Sequence, residues 1–345
     1  MNKKEDLIFE SLVQSILNGK LAPGSKIPSE YELAELWHVN KQTANKAVSR
    51  LAARGLVIRQ KGRGGTIVSE KKHVPKGVIG YRLSLLSGGL FCAKLLKGAE
   101  RAARSHNYAL QYIEWRGPED EHWQQIARAP LSGVMMTSSA LPHGLPFPLF
   151  SIDPRLPENS LYSDDREGGR LAAELLYTLG HRKIIIITDK PAGGIPGRIE
   201  GFCEKMRSYN VEIKKGQIFR FSPSLPNYMD LLWKELQHTY PGTTAAFCSS
   251  DNIALKFYHH LTTLNIHCPR DFSIVGYGAM PMCNAITELT TIDQFPEDMG
   301  YTACEKLIAL IEGRLPEPVR ILTPVKLINY GGTAGPVPSK VLNLK

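Results

Sequence analysis

The sequence is poor in the features that would mark a metal centre, a redox site or a membrane anchor. Its six cysteines, Cys92, Cys203, Cys248, Cys268, Cys283 and Cys304, form no C-x-x-C pair and lie near no histidine at ligand spacing. They read as reduced thiols, which excludes a zinc ribbon or a disulfide framework. No apolar run approaches the roughly 18 residues a membrane helix needs. The opening stretch "MNKKEDLIFESL" holds no uninterrupted apolar segment of the kind that leads a secreted chain, so a cytoplasmic protein is expected. Also missing are a G-x-S-x-G elbow, a Walker loop and an H-E-x-x-H pair, so His143, His181, Asp189 and Asp251 have nothing that ties them into a catalytic set. No metal and no cofactor is implied.

What is present is length and an uneven charge. The chain has 345 residues, 43% of them hydrophobic, enough for two or three domains with separate cores. Its net charge is +9, and residues 1–72 hold thirteen lysines and arginines against seven acidic residues. The basic excess therefore belongs mainly to the N-terminal fifth, where an anionic partner is expected.

Local patterning there predicts three helices. Leu7, Ile8, Leu12, Val13, Ile16 and Leu17 form a helical stripe that Asn18-Gly19 ends. Ser29 and Glu32 make a capping box for a short helix from Glu30 to Trp37. After the turn "HVN", Asn40 is a good N-cap for "KQTANKAVSRLAARG", with Ala44, Ala47, Val48 and Leu51 inside and Gly55 as the stop. A short helix, a tight turn and a longer helix form a helix-turn-helix, whose second helix presents its first turns to base edges. The glycine-rich stretch "RQKGRGGTIV", Arg59 to Val68, could by itself cradle a phosphate. Its flanks "LVIRQ" and "TIVSE" are β-prone and no helix follows, so it reads instead as the basic wing of a winged helix.

Over residues 3–69 the sequence resembles the N-terminal domain of the GntR family of bacterial regulators. The resemblance rests on "GKLAPGSKIPSEYELAELWHVNKQTANKAVSRLAARGLVIRQKGRGGTIV". It implies a DNA-binding surface of Tyr31 on the short helix, Asn40, Lys41, Gln42, Thr43, Asn45 and Lys46 on the recognition helix and Lys61, Gly62, Arg63 and Gly64 on the wing. Tyr31 stands where the family usually has an arginine, Asn40-Lys41 replaces a usual Ser-Arg, and the wing carries one glycine more than usual. Gln42 and Asn45 are the better base readers, because an amide pairs bidentately with adenine. Arg50 is a candidate for a merely solvated face.

A polar linker, residues 70–76, leads into alternating strand-like and helical runs, the pattern of an α/β fold with mainly parallel sheets. The strands are "GVIGYRL", "YALQYIE", "SGVMMTS", "PLFSID", "KIIIITD", "GQIFRFS", "TTAAFCS" and "FSIVGYG". Helices are expected near 91–106, 166–179, 198–208, 227–239, 251–264 and 297–312. Across 77–330 the ordered segments "LLKGAERAARSHNY", "SDDREGGRLAAELLYTLGHRKIIII", "RIEGF", "FCSSDNIALKFYHHL", "PRDFSIVGYG" and "LTTIDQF" resemble the effector domain of the lac and galactose repressor family, itself similar to periplasmic sugar-binding proteins. The two parts together resemble the arabinose repressors of Gram-positive bacteria.

That resemblance implies two Rossmann-like subdomains, 77–160 plus 292–325 and 161–291, followed by a tail, 331–345. It also implies dimerisation and a small-molecule effector, a sugar or sugar derivative, in the cleft. The matching positions are Phe91, Asp164, Arg198, Ser250, Asp251 and Gln294. Phe91 is equally a core aromatic, and Asp251 equally a helix cap. Gly278 and Ala279 follow "IVGY" where an aspartate is usual, and Ser250 replaces an asparagine, which points away from an ordinary hexose or pentose held in the usual way. The reading is a dimeric, ligand-responsive transcription regulator, a repressor of carbohydrate-utilisation genes. Its rivals are an α/β enzyme and an intracellular sugar-binding module, and the latter leaves the basic winged helix unexplained.

Overall fold

Two compact units, Met1–Lys76 and Gly77–Lys345, divide the chain. The computed structural model describes residues 3–17, 19–53, 55–60, 64–69, 75–82, 85–113, 126, 128–137, 144–189, 193–222, 224–225, 227–280, 287–315 and 318–338.

In the first unit, α1 (Lys3–Leu17), α2 (Glu30–Leu36) and α3 (Lys41–Ala53) precede an antiparallel hairpin of β1 (Val57–Arg59) and β2 (Thr66–Val68), in register Val57 to Val68. Of the predicted stripe, Ile8, Leu12 and Val13 pack on Leu33, Ala44, Ala47, Val48 and Leu51, with Ile16 at the edge, whereas Leu7 is exposed and its place in the core is taken by Phe9. Ser29 Oγ accepts from Glu32 N–H at 3.3 Å while Ser29 N–H donates to Glu32 Oε2 at 2.7 Å, closing the capping box. Gly55 ends α3 at φ 66°, and Leu56 N–H returns to Leu51 O at 3.0 Å. The segment "GSKI" lies along the hairpin, with Gly24 and Ile27 N–H donating to Val68 and Thr66 carbonyls.

The second unit contains two six-stranded sheets. The first is built from β3 (Gly77–Arg82), β4 (Tyr108–Tyr112), β5 (Gly133–Met136), β6 (Leu149–Ser151) and β7 (Ser160–Ser163), with α4 (Leu85–Ser105) on its face. The second holds β8 (Ile184–Thr188), β9 (Ile218–Arg220), β10 (Ala245–Cys248), β11 (Ser273–Tyr277) and β12 (Thr291–Asp293). Its helices are α5 (Asp165–Thr178), α6 (Ile195–Ser208), α7 (Tyr228–Thr239) and α8 (Asp251–Thr263). Then α9 (Pro296–Ile311) and β13 (Arg320–Thr323) return to the first half, and β14 (Lys326–Ile328) to the second. Every residue of β8 is buried, as a parallel strand covered on both faces must be. Ile185 and Ile187 enter one core with Phe257 and Leu261, and Ile184 and Ile186 the other with Phe202 and Phe247.

The order is β13-β7-β6-β5-β3-β4 in one sheet and β14-β12-β11-β10-β8-β9 in the other. The chain thus changes sheets three times, after β7, after β12 and between β13 and β14. The sequence reading put two of these changes at 160/161 and 291/292. Pairing places Ser160–Ser163 wholly in the first sheet and Thr291–Asp293 in the second. These strands are too short and too polar to show a period. The expected tail is also corrected in part, because residues 331–338 are bonded into the second half. Ile274 N–H donates to Thr333 O at 2.7 Å, and Val337 N–H to Leu179 O at 2.8 Å. Cys92, Cys203, Cys248, Cys268 and Cys304 are free thiols. Cys283, most of the linker (70–74) and residues 339–345 lie outside the described residues.

Candidate nucleic-acid interface and ligand cleft

The recognition helix is fixed at its start by Asn40. Its Oδ1 accepts from Thr43 N–H at 2.7 Å and from Thr43 Oγ1 at 2.8 Å, which satisfies two donors at the helix end. Thr43, expected on the DNA-facing surface, is consequently turned inward and buried. Lys41, Gln42 and Lys46 remain exposed, and Asn45 is half-buried with Oδ1 accepting from Ser49 Oγ at 3.3 Å. Tyr31 is exposed beside them. Arg59 of β1 reaches α3, donating to Ser49 Oγ at 3.0 Å, and so ties the wing to the recognition helix. Arg50 faces the other way. It pairs with Glu5 and Asp6 of α1 at 3.1 and 2.8 Å and lies over the Phe9 ring. Its role is to clamp two helices, where the sequence suggested only a solvated face.

Lys61, Gly62 and Arg63 at the wing tip lie outside the described residues. Gly64 and Gly65 are described. Gln60 N–H bonds to Gly65 O at 2.9 Å and Gly65 holds φ 75°, so the additional glycine serves the left-handed position that closes the hairpin.

In the second unit, polar side chains gather where the chain passes between sheets. Asp165, at the first position of α5, is buried and accepts from Arg198 Nε at 2.7 Å and from Ser163 Oγ at 3.0 Å. Gln294, only 4% exposed, donates to Ser163 Oγ at 2.7 Å and lies 3.4 Å from Asp165 Oδ1. Arg198 Nη1 reaches Ser249 O at 2.7 Å, and its guanidinium stacks 3.8 Å from the Tyr277 ring centroid. Burial works against the Arg198 charge, but Asp165 together with Tyr277 and Asp251 more than offsets it and holds the group above its ordinary value. Burial also pushes the Tyr277 hydroxyl well up.

The remaining expected residues separate by role. Asp164 caps α5, its side chain accepting from Glu167 N–H at 2.9 Å. Ser250 Oγ donates to Asp189 Oδ2 at 3.0 Å. Asp251 does not cap α8, because Ser250 holds the cap position and the Asp251 carboxylate turns inward. It accepts from Thr291 Oγ1 at 2.6 Å and Met280 N–H at 2.8 Å, and burial raises its pKa against those bonds. Phe91 packs half-buried on the core of the first sheet. Gly278 holds φ 130° and Ala279 φ 47°, a backbone turn at the end of β11.

Sequence reasoning missed Asp165, Ser163, Ser249 and Lys94. Lys94 of α4 donates to Ala279 O at 2.9 Å, a direct bond from the first half to the second, at the place where an aspartate was expected. Its signal was a lysine on an otherwise apolar helical turn. Asp165 could have been found as the second aspartate of "SDDREGG". His181 is fully buried among Thr244, Ser273 and Gly335, at the amino-terminal ends of β8, β10 and β11. Asp189 and Asp251 follow the carboxyl ends of the same strands, so the structure keeps His181 apart from them. His143 lies outside the described residues.

Residues 4–67 match the family of bacterial regulatory proteins named gntR, and residues 173–332 match the periplasmic binding protein-like domain. The chain joins a gntR-type DNA-binding domain to a periplasmic-binding-protein-like domain. It is 27% identical over 332 residues to the arabinose metabolism transcriptional repressor of Geobacillus stearothermophilus, covering 88% of this chain and 90% of that one. The ribose operon repressor of Halalkalibacterium halodurans is 28% identical over 276 residues, 76% of this chain and 81% of its own length. Among solved structures, a LacI family transcriptional regulator from Enterococcus faecium with bound ribose superposes with a TM-score of 0.65 at 24% identity, over 74% of this chain and 98% of that one. That likeness concerns the fold of the periplasmic-binding-protein-like domain, whose crossover residues are those described above.

Proposed function

We propose that this protein is a ligand-responsive transcription regulator, a repressor of carbohydrate-utilisation genes. In this reading it binds operator DNA as a dimer through the gntR-type domains and is switched by a small sugar-like molecule between the two halves of the second domain. The observation that carries the DNA-binding role is the exposed row Lys41, Gln42 and Lys46 on a helix whose start is locked by Asn40. Two such heads in a dimer would meet half-sites of a near-palindromic operator. Lys61, Gly62 and Arg63 would add contacts from the wing to phosphates or the minor groove.

For the effector, the three crossovers supply the hinge and the polar groups around them supply the contacts. The Arg198 fork, Asp164, Ser250 with Asp189, and Gln294 offer donors and acceptors suited to hydroxyl groups. Closure over a ligand would move one sheet against the other through the segments after Ser163, Asp293 and Thr323, and a dimer joined through this domain would transmit that change to its heads. A coupling of about 1–3 kcal/mol would alter operator affinity roughly 5- to 150-fold. The named relatives are repressors of arabinose metabolism and of a ribose operon, which supports a monosaccharide or a derivative of one. The same relatives are named as repressors, which supports a regulator with no catalytic role, acting in the cytoplasm.

The test is retardation of the DNA upstream of the protein's own gene, with and without arabinose, ribose, uronic acids and sugar phosphates. The expected result is a retarded complex that one of these compounds releases and that weakens steeply with salt. Absence of any specific complex at moderate salt would overturn the regulator reading and favour a plain binding module.

A further inference from the structure

Tyr31 is the second residue of α2 and one of the most exposed large side chains of the first unit, at 68%. An exposed tyrosine gains little from burial there. Its ring instead lies under a cation, with Lys41 Nζ 3.8 Å from the ring centroid. Lys41 opens α3, and Asn40 next to it pins the helix start through the Thr43 N–H and hydroxyl. The Cα of Lys41 is therefore placed by the cap, and its ammonium by the ring. Among the described residues Lys41 enters no ion pair, so its charge is unquenched.

We propose that Tyr31 is a positioning residue for DNA recognition, whose ring presets the Lys41 ammonium to contact a phosphate beside the first turn of α3. The proposal rests on the DNA-binding reading above. Lysine carries four rotatable bonds and holds a phosphate as a point charge, so it loses much conformational freedom on contact. A ring that holds the ammonium in place before binding removes part of that loss. The contact is with the π face, and the tyrosine hydroxyl has no part in it. Tyr31 thus contributes to affinity without supplying charge of its own.

The probe is a duplex enriched by the full-length protein from a randomised pool, titrated at several salt concentrations. Tyr31→Phe should bind within about twofold of the wild type, and Tyr31→Ala about 2- to 5-fold more weakly, the range of an exposed cation–π contact. Lys41→Ala should lower the salt slope by about one, whereas Tyr31→Ala, which keeps the charge, should leave the slope nearly unchanged. On the Lys41→Ala background, Tyr31→Ala should cost nothing further. Because Tyr31 is exposed, thermal unfolding of Tyr31→Ala should match the wild type. Three results would overturn the pairing: full affinity in Tyr31→Ala, equal losses in Tyr31→Phe and Tyr31→Ala, or additive losses in the double variant. A wild-type chain that enriches no duplex overturns the DNA-binding reading itself, and the pairing with it.

Discussion

His181 is enclosed by Thr244 Oγ1 at 2.8 Å, Ser273 Oγ at 3.0 Å and the Gly335 carbonyl at 3.0 Å, and burial lowers its pKa. Burial lowers that of His260 as well. A histidine held neutral in the folded state stabilises it fully above the ordinary value of 6.5, and that stability is lost as pH falls below 6.5. The melting temperature should therefore drop on acidification from pH 7 to 5, and less steeply in His181→Gln; equal slopes would show that His181 does not contribute. The buried pair Arg198–Asp165 gives a second prediction at this scale. Arg198→Met leaves the Asp165 carboxylate buried without its cation, at a cost of about 3–5 kcal/mol in urea denaturation, and should abolish any sugar-induced thermal shift. Arg198 was legible in the sequence, since its charge and its place in "RIEGF" mark it. Asp165 was not, because two adjacent aspartates differ only in which one the helix start turns inward.

Two helix pairs in the second unit cross through reciprocal glycines. A methyl group at Gly98 would overlap the backbone of α9 at Glu297, and one at Gly300 the backbone of α4 at Leu95. The other half repeats the device, with Gly169 against Arg198 and Gly201 against Arg166. Gly300→Ala and Gly201→Ala should each destabilise by at least about 1–3 kcal/mol in denaturant unfolding, because the clash is with backbone that cannot rotate away. A loss no larger than the few tenths typical of surface sites would show that the helices separate easily. Helices and buried strands of this unit stood out in the sequence by period and apolar runs. The crossover strands β7, β12, β13 and β14 did not, since three or four mixed residues carry no period, and only pairing reveals them. Helix α4 consists of two stretches joined at Gly89, where φ is 42°, and the second begins close to the start near 91 that the sequence suggested, while the short stretch before Gly89 was not foreseen.

At the scale of the whole molecule, a basic N-terminal domain followed by a nearly charge-balanced second domain predicts DNA binding governed by ionic strength. Raising salt from about 50 to 200 mM should weaken the complex about 10³- to 10⁵-fold if six to ten phosphates are contacted, measured by retardation or fluorescence anisotropy. A much flatter response would mean few phosphate contacts and would count against the wing and Lys46 as anchors. By itself the sequence determined the order of domains, the helix-turn-helix with its capping box, and the α/β alternation, because each rests on local period, capping chemistry or composition. Only the tertiary structure decided which polar residues share a site. Thr43 and Asp251 turn inward, Lys94 meets Ala279 from a helix 185 residues away, Gln294 meets Ser163 across the crossovers, and Tyr31 lies beneath Lys41. Those contacts depend on how strands pair and where the chain changes sheets, and that information is long-range, absent from any short window of residues.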